Sequence, residues 1–128
     1  MITVGICDKN RHQRQKIRKY CDRYFRKHTL FHQCIEFGSG EEVLNFQKCE
    51  IQLLFMDTEL RGISGLTVLD NLTGSSIVKH VVFVSDDREK RYQVIELKTL
   101  AFFDKPISNR AVEKCLSVVM REKGLMVV

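Results

Sequence analysis

The stretch LLFMDTEL at 53–60 runs four apolar residues straight into Asp57, and a second acid, Glu59, follows two positions later. An unpaired carboxylate taken out of water is costly, so an acid ending a buried run calls for a metal, a cation or a chemical task. Three further apolar runs end in a polar residue. Asp8 follows ITVGIC, Ser85 closes HVVFVS, and Lys105 follows LAFFD. Two carboxylates with a backbone carbonyl make a hard, oxygen-rich seat for Mg²⁺. A carboxylate can also attack phosphorus and form an acyl phosphate. A metal and a lysine would then neutralise charge on the phosphoryl oxygens, and the Ser85 hydroxyl could donate to one of them. The plainer alternative is an Asp57–Lys105 ion pair that caps the sheet. Buried ion pairs are weak stabilisers, which makes a purely structural role less attractive.

These residues converge only if their runs are neighbouring strands. ITVGIC (2–7), CIEF (34–37), IQLLFMD (51–57), HVVFVS (80–85) and LAFFD (100–104) read as strands, the third and fourth continuously apolar and so buried on both faces. Helical spacing alternates with them. Residues 10–28 place Ile17, Tyr20, Cys21, Tyr24 and Phe25 on one stripe. GSGEEVLNF gives a turn and a helix in which Ser39 is the cap and Glu42 its capping-box partner. Gly38 and Gly40 lack the longer glycine pattern and the lysine of a phosphate loop. LTVLDNL (66–72) is helical and closed by Gly74, REKRYQVIEL (88–97) is helical, and a last helix runs from near Ser108 to about Lys123, ending at Gly124. The alternation predicts an α/β fold, a single doubly wound five-stranded parallel sheet with helices on both faces. Function in such sheets gathers at the carboxyl ends of the strands.

The 128 residues suit one domain, and 44% apolar with 29% charged residues is globular composition. No apolar run approaches the roughly 20 residues of a membrane span, and MITVGICDKN lacks a signal-peptide layout, so the cytoplasm is expected. Five scattered cysteines form no Cys-x-x-Cys pair and are expected to be thiols. The net charge of +5 concentrates in 10–28, where eight Lys and Arg face one acid, Asp22. A solvated helix face, a docking surface for an acidic partner and a nucleic-acid patch are the alternatives, and no aromatic platform for bases accompanies the charge.

Taken in order, ICD (6–8), LLFMDTELRGISGLTVL (53–69), VVFVS (81–85) and FFDKP (102–106) resemble the receiver domain of response regulators, the CheY-like phosphoacceptor family of two-component signalling. The resemblance covers essentially all of 1–128, which could be the N-terminal part of a longer regulator. The wording DTEL and the early ICD are similar to the LytTR-type branch, whose receivers usually precede a DNA-binding domain. The family implies a flavodoxin-like strand order 2-1-3-4-5. It implies Asp57 as the phosphorylated residue, with Mg²⁺ held by Asp8, Asp57 and the backbone carbonyl of Glu59. It further implies Ser85 as the mobile hydroxyl, Phe102 as the aromatic switch, Lys105 as the partner of the phosphoryl group, and a cis bond before Pro106. Gly65 matches the loop glycine after the phosphoacceptor.

A histidine kinase would be the donor, and an output domain or partner protein the recipient of the signal. The fourth helix, fifth strand and fifth helix would report the switch, and a homodimer through that face is one arrangement they allow. The family implies a phosphoacceptor rather than an enzyme, with control of transcription through the output domain. No membrane or direct nucleic-acid binding is expected of this domain.

Two positions depart from the family. Lys9 stands where a second acid, a direct metal ligand, is usual, and Asp86 stands where a small residue is usual. Lys9 could face solvent and leave a weak working site, with Asn10 as a substitute oxygen ligand if the backbone shifts. It could instead neutralise Asp57 in place of the metal. Or phosphorylation could be lost and the domain act as a protein-interaction module. Asp86 and Asp87 could narrow the mouth of the site, or simply begin a helix where acids suit the dipole.

Overall fold

In the computed structural model, residues 1–72, 77–93 and 99–125 are described, those at 91–93 by their backbone alone. Five strands, β1 (Ile2–Cys7), β2 (His32–Phe37), β3 (Leu53–Met56), β4 (Val81–Ser85) and β5 (Thr99–Asp104), form one parallel sheet in the order β2-β1-β3-β4-β5. The helices are α1 (Arg11–Lys27), α2 (Gly40–Asn45), α3 (Gly65–Leu72) and α4 (Asn109–Glu122). This is the doubly wound arrangement that the alternating pattern predicts.

Every residue of β1, β3 and β4 is buried, as central parallel strands covered on both faces should be. On one face Ile17, Cys21, Tyr24 and Phe25 of α1 pack with Val112, Cys115, Leu116, Val119 and Met120 of α4 over Val4, Ile6, Leu53, Phe55, Val82 and Val84. The Tyr24 and Ser117 hydroxyls join the two helices at 3.0 Å. On the other face Val43, Val68, Leu69 and Leu72 of α2 and α3 cover Cys7, Leu54, Met56, Val81 and Phe83. The caps follow the sequence. Asn10 Oδ1 accepts from the N–H of His12 and Gln13, and Ser39 and Glu42 form the expected capping box.

Several boundaries differ from the sequence reading. β3 is shorter than 51–57, because Ile51 makes an isolated parallel bridge to Val78 and Asp57 lies just past the strand. β2 starts earlier than Cys34, at His32, where it pairs with Ile2. The helix expected at 88–97 is a 3-10 turn over Arg88–Gln93, and its later residues lie outside the described ones, as does Gly74. At the start of the turn the Asp87 side chain accepts from Glu89 N–H at 3.1 Å as a cap, and Ser85 Oγ accepts from Asp87 N–H at 3.0 Å.

The parallel register continues one step beyond the strands. Asp8 N–H donates to Phe37 O at 3.1 Å, Asp57 N–H to Cys7 O at 3.0 Å, and Lys105 N–H to Ser85 O at 3.0 Å. These bonds align the residues leaving β1, β3, β4 and β5 along one edge.

Candidate functional site

At that edge Lys105 Nζ lies 2.6 Å from Asp57 Oδ2 and 2.9 Å from Asp8 Oδ2. The two carboxylates are buried, at 4% and 3% exposure, so their charge is balanced within the protein. Burial alone would push the Lys105 ammonium down, but the hydrogen bonds and charges of Asp57 and Asp8 outweigh it and hold the group above the ordinary lysine value. The other carboxylate oxygens are bonded to backbone: Asp57 Oδ1 accepts from Glu59 N–H at 3.0 Å, and Asp8 Oδ1 from Asn10 N–H at 2.8 Å. The same acids act on the strand behind them. Burial first, then the charges of Asp8, Glu42 and Asp57, push the Cys7 thiol up to about 12, which leaves it inert.

Two carboxylate oxygens therefore converge on one cation-sized point. That geometry and the all-oxygen donor set fit a divalent cation such as Mg²⁺, and Asp8, Asp57 and the Glu59 carbonyl are the groups that would hold it. An ammonium and a divalent cation at this point are electrostatic alternatives unless the lysine shifts as the cation enters.

The model of the response regulator receiver domain matches residues 4–117. The chain belongs to that family. The receiver fold is also seen in similar solved structures. The response regulatory domain of protein mrkE from Klebsiella pneumoniae superposes with a TM-score of 0.82 at 16% identity, covering 98% of this chain and 100% of that one. The receiver domain of AraT from Geobacillus stearothermophilus gives 0.78 at 19% identity, covering 96% and 95%. A receiver domain protein from Clostridium thermocellum gives 0.77 at 13% identity, covering 99% and 100%. A search of curated proteins found no match.

In this receiver, Ser85 is fully buried and its hydroxyl is 2.7 Å from that of Thr58. Phe102 is half-buried, its ring centre 6.3 Å from that of Phe83 on the α2–α3 side of the sheet. The Lys105–Pro106 bond is cis. Glu59 and Asp86 are exposed. Lys9 is exposed and lines a shallow pocket of about 410 Å³ with Asp8, Asn10, Gln13, Asp86, Lys105 and Pro106. The ammonium placed against Asp57 is thus that of Lys105, and Lys9 stands at the rim. Asn10 holds its side-chain oxygen in the helix cap, where it accepts two backbone N–H groups at 2.8 and 3.2 Å, so service as a replacement ligand would require the backbone to shift.

Two residues at the site escaped the sequence reading. Thr58, 2% exposed, holds Ser85 through its hydroxyl, while its carbonyl accepts Gly65 N–H at 2.9 Å. By charge alone Arg14 belongs with the solvated basic face. It reaches inward instead, donating to Asp8 O at 2.7 Å and to Glu36 Oε1 at 3.2 Å. The signal was its spacing, because positions 14, 17, 21 and 24 share one helical stripe.

Among the described residues no helix is long and apolar enough to cross a membrane.

Proposed function

We propose that this receiver is a phosphorylation-driven switch in which Asp57 accepts a phosphoryl group from a histidine kinase. The observation that carries the reading is the single ammonium of Lys105 bonded to both Asp57 and Asp8 at the carboxyl edge of the sheet. In the transfer, an Asp57 oxygen forms a bond to phosphorus as the phosphorus–nitrogen bond of a phosphohistidine breaks, leaving an acyl phosphate here and a free imidazole on the donor. Mg²⁺, when bound, offsets negative charge on the phosphoryl oxygens. Lys105 is placed to pair with one of those oxygens. Ser85 would leave Thr58 to donate to another, and Phe102 would follow it inward. The face formed by the Arg88–Gln93 turn, β5 and α4 would then present a changed surface to an output domain, a partner protein or a second copy. Control of transcription through an output domain of the LytTR-type branch is the pathway this reading favours. The protein would be a phosphoacceptor, not an enzyme acting on a separate substrate.

A second reading is a protein-interaction module that needs no phosphorylation. It is favoured by Lys9 in place of a metal-binding acid.

Incubation with acetyl phosphate, with and without Mg²⁺, followed by intact mass, separates the two. The switch predicts a Mg²⁺-dependent phosphoryl adduct on the wild type that is absent from Asp57→Asn. An adduct seen only after Lys9→Asp would mean that the site is disabled at that residue, which supports the interaction module.

The contact between Thr58 and Ser85 gives a separate expectation. A hydrogen bond contributes about 1 kcal/mol, so Thr58→Val should favour the released Ser85 by roughly fivefold. The readout is the unphosphorylated receiver's affinity for its partner or for itself, where Ser85 is still held. An unchanged affinity would mean that Thr58 does not restrain the switch.

A further inference from the structure

Away from the acidic edge, α1 and β2 bring together three chemically different donors. His32 Nε2 lies 2.7 Å from Asp22 Oδ1, and Cys34 Sγ lies 3.7 Å from the same oxygen. All three ligand atoms fall within 4.8 Å of one another. Neither the phosphoryl chemistry nor the switch uses any of these side chains.

We propose that Asp22, His32 and Cys34 form a binding site for a borderline-soft divalent cation, Zn²⁺ being the best fit, with water in the fourth position. Zinc takes nitrogen, sulfur and carboxylate oxygen in tetrahedral geometry. With bond lengths of about 2.0–2.3 Å, tetrahedral ligands stand roughly 3.3–3.7 Å apart. The Cys34–Asp22 separation of 3.7 Å already matches. The His32–Asp22 contact of 2.7 Å must open by roughly 0.6 Å, which a rotation of the Asp22 carboxylate supplies.

The surroundings hold the three donors near that geometry, and the Arg18 guanidinium, which also feels Asp22 and Cys34, is itself paired with Glu36 at 3.0 Å. The Phe25 ring stacks on His32 with centroids 4.4 Å apart and planes at 13°, which fixes the imidazole plane. Cys34 is 9% exposed, and the fully buried Cys21 lies beside it on the inner side. The Asp22 side chain keeps 39% of its surface open and the His32 side chain 18%, leaving an entry path and room for the water. Mg²⁺ would not compete well for a thiol, so the two sites divide by chemistry: hard oxygen donors at the sheet edge, a mixed soft set here. On binding, the thiol proton of Cys34 passes to solvent and the thiolate bonds to the metal.

The experiment titrates metal-free, reduced protein with Co²⁺ and reads the thiolate-to-cobalt charge-transfer band and the visible bands of a tetrahedral site. One equivalent should saturate, and Zn²⁺ should displace it. The spectrum should persist in Asp57→Asn, which removes a ligand of the acidic edge, and in Cys49→Ser, a half-buried thiol outside the cluster. It should vanish in Cys34→Ser. His32→Gln, at a partly exposed position, should weaken binding by at least about tenfold even if Cys34→Ser fails to fold. Absence of the charge-transfer band in the wild type, its survival in Cys34→Ser, or unchanged affinity in His32→Gln would overturn the proposal. None of these outcomes bears on phosphorylation of Asp57.

Discussion

Gly65→Ala is expected to destabilise the receiver by roughly 3 kcal/mol and to suppress phosphoryl labelling of Asp57. A methyl group at this position would stand 2.2 Å from the carbonyl oxygen of Asp57 and 2.9 Å from the α-carbon of Thr58. Both are backbone atoms, and neither can rotate away. The loop after β3 would have to move outward, and Asp57 and Thr58 would move with it. The Gly65 N–H bond to Thr58 O would lengthen, and so would the bonds that place Asp57 against Lys105 and Thr58 against Ser85. Gly5→Ala is the useful contrast. There the nearest atom is the tip of the Leu54 side chain at 2.8 Å, which can change rotamer, so the cost should be smaller. Denaturant midpoints of the two variants, read alongside mass labelling, check both statements. A Gly65→Ala protein with wild-type midpoint and labelling would show that the close approach to Asp57 does not constrain the site.

The second large effect concerns Lys105→Met. The substitution keeps most of the side chain's volume and removes the ammonium bonded to Asp8 and Asp57. Two nearly buried carboxylates would face each other without a counter-charge, and breaking a buried pair costs about 3 kcal/mol or more. Millimolar Mg²⁺ should restore a larger share of stability to the variant than it adds to the wild type, because in the variant no ammonium stands between the carboxylates. The pH dependence has a definite sign. The folded-state pKa of Lys105 is raised above the ordinary 10.5, so its contribution is fully present below that value and is lost as pH rises through the higher folded value. On the alkaline side of neutrality the stability gap between wild type and Lys105→Met should therefore hold up to about pH 10.5 and narrow only above it. Chemical denaturation at several pH values, with and without Mg²⁺, measures all of this. A gap that closes on raising the pH before that value is reached would assign the stabilisation to some other group.

The acidic edge could be read from the sequence because each of its residues follows a run of hydrophobic amino acids. Val81–Ser85 is too apolar to be anything but an inner strand, and the polar residue that ends it must lie at the sheet edge. The same logic placed Asp8, Asp57 and Lys105. Side-chain pairs across that edge were not legible. The Thr58–Ser85 bond depends on β3 and β4 meeting as Met56 opposite Phe83, a register fixed by packing rather than by either segment alone. Arg14 was hidden by its neighbours, since one inward guanidinium looks like its solvated companions when charges are simply counted. The cluster of Asp22, His32 and Cys34 joins a helix to a strand across a loop, and neither segment carries a metal-binding spacing. The segment beginning at Arg88 misled for a different reason. Its composition favours helix, and the cap that Asp87 makes on Glu89 N–H serves a 3-10 start as well as an α start, so the segment's own residues do not choose between them.

The strand order has a consequence for how the protein is made. Lys105 follows β5, which lies at the margin of the sheet, 48 positions beyond Asp57 in the chain. Translation from the N-terminus delivers both acids before it delivers the ammonium. β1 and β3 can pair while the ribosome is still extending the chain, and their pairing would bring Asp8 and Asp57 toward each other before the Lys105 ammonium that bonds both has been made. Such a half-built sheet also exposes β4 as an open edge, the kind of surface on which nascent chains aggregate. Docking of the marginal strand closes that edge and neutralises the acids in one late step. Maturation of the charge-balanced receiver thus waits on the last strand to be synthesised, not on the central strands that carry the acids.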